Sequence, residues 1–123
     1  MNNFRVIDGV EMKPDEIEGY FKKLDSTNIF KGYYVVSRDG MHVASKSYNN
    51  INTDTFSAMS AVILGAAETI FSMVKDKVKV IELKGVDNIF FVVSTDDRSL
   101  FIAVSNSKKE KEALDLLLKT FSQ

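Results

Sequence analysis

The chain is 123 residues long, enough for one domain with a real core and too short for two ordinary ones. Hydrophobic residues at 45% beside 27% charged ones match a soluble globular protein. A net charge of −1 without a basic block argues against a nucleic-acid surface, and the lack of cysteine excludes disulfides, thiolate metal sites and cysteine nucleophiles.

Residues 1–12, MNNFRVIDGVEM, read as an N-terminal extension to a domain spanning 13–123. Acidic residues interrupt the extension and no apolar stretch develops, so it lacks the pattern of a signal peptide. A cytoplasmic location is expected, and a chain without cysteine fits a reducing compartment. Pro14 stands at a first helical position, followed by Asp15, Glu16 and Glu18, acids that suit a helix N-terminus. Ile17, Tyr20, Phe21 and Leu24 recur at helical spacing and predict a helix over 14–25. Two β-rich runs follow, 30–37 and 41–47, separated by Arg38-Asp39-Gly40. Asp-Gly between such runs is a strong hairpin signal, because both residues tolerate positive φ.

Residues 55–74, TFSAMSAVILGAAETIFSMV, carry a single charge, Glu68. Asn52 or Thr53 is the expected N-cap of this helix. A surface helix normally shows one polar face; here both faces are apolar or small, so both are expected to meet something. On a helical wheel Phe56, Met59, Ile63, Ile70, Phe71 and Val74 fall on one side, read as the core face. Ala58, Ala61, Gly65, Thr69 and Ser72 form a small-residue stripe on the other. That stripe suits close approach of a second helix or, alternatively, of the chain's own loops. Gly65 costs about 1 kcal/mol relative to Ala in mid-helix, which calls for a packing reason. A bilayer span is disfavoured, since an acidic side chain deep in a span costs roughly 2.5–3.5 kcal/mol.

Three further strands are predicted, over 78–85, 88–95 and 98–105, with connections so short that neighbours must be antiparallel. In the last two, both alternating sets are apolar, so the sheet is covered on both faces. Ser107 and Glu110 form an S-x-x-E capping box ahead of a helix whose Ala113, Leu114, Leu117, Leu118 and Phe121 share a stripe.

Catalytic, cofactor and metal sites are not expected. His42, the single histidine, has no identifiable orienting partner. Asp96-Asp97 reads as a turn, without the spacing of a calcium loop. P-loop and nucleophile-elbow motifs are absent. Arg5, Arg38 and Arg98 read as solvated loop residues rather than arginine fingers. Glu68 reads as a rim carboxylate or, more sharply, as a partner contact, with Ser57 beside it.

GYYVVSRDGMHVASKS, DTFSAMSAVILGAAETI, VKVIELKG, DNIFFVVSTDDRSLFIAVS and EALDLLLKTF, in that order, resemble the Roadblock/LC7 domain family. The resemblance implies an α+β sandwich with element order α-β-β-α-β-β-β-α. Its five-stranded antiparallel sheet has order 2-1-5-4-3, the long helix on one face and the terminal helices on the other. It also implies a non-catalytic homodimeric adaptor or regulator that binds a small Ras-like GTPase or scaffolds a signalling or motor complex. A related Roadblock chain is a further implied partner. Carried over, the dimer surface comprises Ala58, Ala61, Val62, Gly65, Thr69 and Ser72 of the long helix, with Val78, Val80, Ile81 and Leu83 of the third strand. Lys79, Glu82 and Lys84 lie on that strand, and charges on an edge discourage pairing, so they weigh against strand continuity more than against helix pairing. The alternative reading is a PAS- or GAF-like small-ligand sensor, which requires an internal cavity.

Overall fold

Pro14 opens helix α1 (Pro14–Asp25), with Glu16 accepting a hydrogen bond from the Lys13 N–H at 3.4 Å. The computed structural model describes residues 13–47, 50–95 and 98–121. The N-terminal extension, with Arg5, and the Asp96-Asp97 turn lie outside the described residues. Strands β1 (Phe30–Ser37) and β2 (His42–Ser47) form the expected hairpin. Its turn closes through Ser37 N–H to Met41 O at 2.9 Å, which leaves Met41 in the turn and starts β2 at His42. Gly40 in this turn has φ +90°, a conformation that side chains strongly disfavour.

Helix α2 (Thr53–Ser72) is capped by Asn52, whose side chain accepts from the Thr55 N–H at 3.1 Å. Strands β3 (Val80–Lys84), β4 (Asn88–Ser94) and β5 (Ser99–Asn106) follow. All neighbours are antiparallel, in the order β2-β1-β5-β4-β3. Helix α3 (Glu110–Phe121) ends the described chain. The Ser107 capping box does not form: Asn106 accepts from the Lys108 N–H and opens a single 3-10 turn ahead of α3. Ser107 Oγ instead donates to Val86 O at 3.1 Å.

The alternating strand residues fill two cores, as expected for a sheet covered on both faces. On the α1/α3 side, Tyr33, Val35, Ile89, Phe91, Phe101 and Ala103 pack with Ile17, Leu24, Ala113 and Leu117. On the α2 side, Tyr34, Val36, Val92, Leu100, Ile102 and Val104 pack with Leu64.

The size division of α2 does not set its burial. Its buried residues are Ser57, Ser60 and Leu64. Small side chains there let the helix backbone lie close to the sheet. Met59, Ile70, Phe71 and Val74 are exposed, and of the bulky set only Phe56 and Ile63 are partly covered. By length and composition α2 could cross a bilayer, yet one side of it is the lid of this core.

Candidate protein-interaction surface

The outward side of α2 is apolar. Met59, Val62, Ile70 and Met73 are all exposed, Val62 at 62% and Met73 at 77%. Burying one such side chain fully is worth roughly 1.5–3 kcal/mol, so the face is costly to leave in water. It continues past the helix. α2 packs chiefly on β1, β2 and β4. Leu83 of β3 therefore remains 38% exposed. Phe56, Met59, Ile63, Leu83, Phe90 and Val92 line a groove of about 150 Å3 between α2 and the β3–β4 hairpin.

The small-residue stripe divides into two parts. Its first part serves the fold: a Cβ on Gly40 would lie 3.1 Å from Ala58 Cα and 3.6 Å from the Ala61 methyl. Ala58 and Ala61 are therefore where the β1–β2 turn rests. Its second part is open. Beyond its own helix backbone and chain neighbours, Gly65 has no described heavy atom within 4 Å of where a Cβ would stand. Thr69 and Ser72 are exposed and their hydroxyls donate back to Gly65 O and Thr69 O. Val80 and Ile81 of β3, and Val78 just ahead of it, are half-buried, and among the described residues no strand pairs with the outer edge of β3.

Glu68 meets a basic residue of its own chain. Arg38 Nη1 donates to both carboxylate oxygens at 2.6 and 2.7 Å, and Nη2 donates to Ser94 Oγ at 2.7 Å. Arg38 is thus a clamp rather than a solvated turn residue. It joins the hairpin turn, α2 and the end of β4. Arg98, by contrast, is exposed. Replacing Arg38 with Ala would leave Glu68 without this cation. Both side chains retain water contact, so the expected cost is about 1–3 kcal/mol, below that of a fully buried pair. A urea midpoint unchanged by Arg38→Ala would show that the clamp contributes nothing.

Ser57 is fully buried on the sheet-facing side, so its hydroxyl is not presented to a partner. His42 Nε2 lies 2.9 Å from Ser45 Oγ, a local contact on the strand. Among the described residues no group of three potential ligands could hold a metal ion.

Opposite this face, at the β3 edge, Lys84 Nζ lies 2.9 Å from Glu110 Oε1. The hydrogen bond to Lys84 holds the Glu110 carboxyl below its ordinary value, and the same bond raises Lys84. Desolvation, then a hydrogen bond to Glu110, pushes Glu82 above its ordinary value of 4.5.

Residues 16–106, with this sheet order and this long covering helix, match the Roadblock/LC7 domain. The chain belongs to the Roadblock/LC7 family. Among solved structures, this Roadblock/LC7 domain is similar to Myxococcus xanthus MglB, at 16% identity and TM-score 0.65, covering 81% of this chain and 89% of that one. It is similar to an MglB with tetrameric arrangement, at 13% identity and TM-score 0.67, covering 91% and 93%. It is also similar to Acanthamoeba castellanii profilin IA, at 18% identity and TM-score 0.57, covering 80% and 87%. At such identities the likeness is one of fold, and the profilin shows that the fold alone does not assign a role. Curated protein sequences give no match.

Proposed function

We propose that this Roadblock/LC7 domain forms a homodimer through α2 and β3, and that the dimer is a non-catalytic platform for a small Ras-like GTPase. The observation that carries the reading is the apolar outward face of α2, continuous with Leu83 at an open sheet edge. Contiguous apolar surface of this kind marks interaction sites. Family membership supports an adaptor or regulator, and the tetrameric arrangement of a similar MglB supports self-association. The proposed interface comprises Val62, Gly65, Thr69 and Ser72 at its centre, with Met59, Ile70 and Met73 added. Val78, Val80, Ile81 and Leu83 supply the strand side. Ala58 and Ala61 border it, already partly taken up by the Gly40 turn. A cytoplasmic setting belongs to the same proposal.

Native mass spectrometry of the full chain tests the dimer: two copies of the 13.8 kDa chain, without small-molecule ligand, are expected. Ras-like GTPases from the same genome, loaded with GDP or a GTP analogue, are then expected to bind the dimer in a nucleotide-dependent way. A monomer carrying a bound small molecule would overturn the platform in favour of the sensor reading.

A further inference from the structure

The charges on β3 oppose generic pairing, but their order is specific. Gly85 N–H donates to Asn88 O at 2.7 Å and closes the β3–β4 hairpin. Hydrogen-bonded and non-hydrogen-bonded pairs alternate along an antiparallel ladder. Leu83 and Ile81, opposite Phe90 and Val92, therefore bond inward to β4. The N–H and C=O groups of Val80, Glu82 and Lys84 are left pointing to the open edge. Side chains alternate too: Ile81 belongs with the α2-side core and Val80 with the α1/α3-side core. Glu82 and Lys84 share the face of Val80, where Lys84 reaches Glu110.

A second copy continuing this sheet across a two-fold axis, with its own α2 on the same side, must place like faces opposite each other. That condition leaves few registers. With Glu82 opposite the partner's Glu82, like charges face directly, which is destabilising. With Ile81 opposite the partner's Ile81, Glu82 faces the partner's Val80 and Lys79 faces the partner's Leu83, so charges meet apolar groups. With Leu83 opposite the partner's Leu83, Glu82 faces the partner's Lys84, twice by symmetry. In that register the shared ladder runs over Glu82, Leu83 and Lys84, because Gly85 already closes the hairpin turn.

We propose that two copies of this chain join their β3 edges in the register centred on Leu83, with each Glu82 paired to the partner's Lys84. This rests on the homodimer proposed above and specifies its seam. In one protomer Lys84 is ion-paired to Glu110, and Glu82 lies beside that same carboxyl. The partner's Lys84 adds a cation next to Glu82, and each lysine then bridges its own Glu110 and the partner's Glu82. Leu83 meets its counterpart in a non-hydrogen-bonded pair on the α2 side, so the axis also runs through the apolar face. The alternating charges become a register key: they permit one alignment and penalise its neighbours.

The chain has no cysteine, so single-cysteine variants report the register cleanly. Leu83→Cys puts two Cβ atoms about 4.5–5.5 Å apart across the axis, near disulfide reach. Glu82→Cys and Ile81→Cys leave the two sulfurs about 7 and 13 Å apart along the strand. Under mild oxidation, Leu83→Cys is expected to cross-link at least tenfold faster than either. A faster Glu82→Cys or Ile81→Cys overturns the register, as does equal failure of all three in a dimeric protein. A monomeric wild type removes the dimer itself, which is a separate outcome. Mixing provides the charge test. Glu82→Lys and Lys84→Glu are each expected to dimerise at least tenfold more weakly than wild type, while their mixture forms a heterodimer. Wild-type self-association of Lys84→Glu also overturns the proposal.

Discussion

In the proposed homodimer, Val62→Arg is expected to separate the protomers without unfolding either. Val62 is 62% exposed on the outward face of α2 and is flanked by Met59 and exposed Ala66. The substitution removes little from the chain's own core, and arginine is a good helix former. In the proposed dimer, the same position would place a charged side chain at the centre of a desolvated contact. Central positions dominate interface energetics, at about 2–4 kcal/mol each. A rise in the dissociation constant of about 100-fold, or ~2.7 kcal/mol, is the expected result. Sedimentation measures it, and an unchanged thermal unfolding profile at monomeric concentrations confirms the retained fold. Wild-type affinity in the variant would move the interface away from α2.

The largest effect on stability is expected from Phe101→Ala. Phe101 is fully buried on β5, and its ring meets Tyr20 and Phe21 of α1, Tyr33 of β1 and Phe121 of α3. One side chain therefore ties both terminal helices to two adjacent strands. Truncating such an aromatic costs about 3–5 kcal/mol, a large part of the roughly 5–15 kcal/mol that holds a domain together. Phe71→Ala is the control. Phe71 is 40% exposed, so less than about 1 kcal/mol of protomer stability should be lost. Urea unfolding at low protein concentration compares the two. Equal losses would place Phe71 in the core after all.

Local signals placed most elements of this fold correctly. Pro14 and its acids started α1, Asp39-Gly40 turned the first hairpin, and Asn52 capped α2. Double-sided apolar strands predicted helices on both faces, and the family resemblance supplied the strand order that is observed. The orientation of α2 departs from the helical-wheel expectation for a physical reason. Side-chain size is no proxy for burial where a helix lies close on a sheet: Ser57 and Ser60 are buried and Met59 and Ile70 turn outward. A sequence does not distinguish bulk that fills its own core from bulk that another surface covers. The Arg38–Glu68 pair was equally hidden, because thirty residues separate its members and only the seated hairpin brings them together. At the end of β5, Asn106 competed with Ser107 for the cap and won by opening a 3-10 turn.

The place of β5 between β1 and β4 has a consequence for how the chain is made. The β1–β2 hairpin emerges from the ribosome early and finds no further strand to pair with until residues 99–106 appear. Its partner is nearly seventy residues downstream, from Val35 to Phe101 for example. Neither core can close before that strand is inserted, so ordering is late, non-local and slow relative to a helical domain of similar length. Until then the sheet-facing side of α2, with Leu64, lacks the β5 residues it packs against. The interval before β5 arrives is therefore when newly made chain exposes most apolar strand surface.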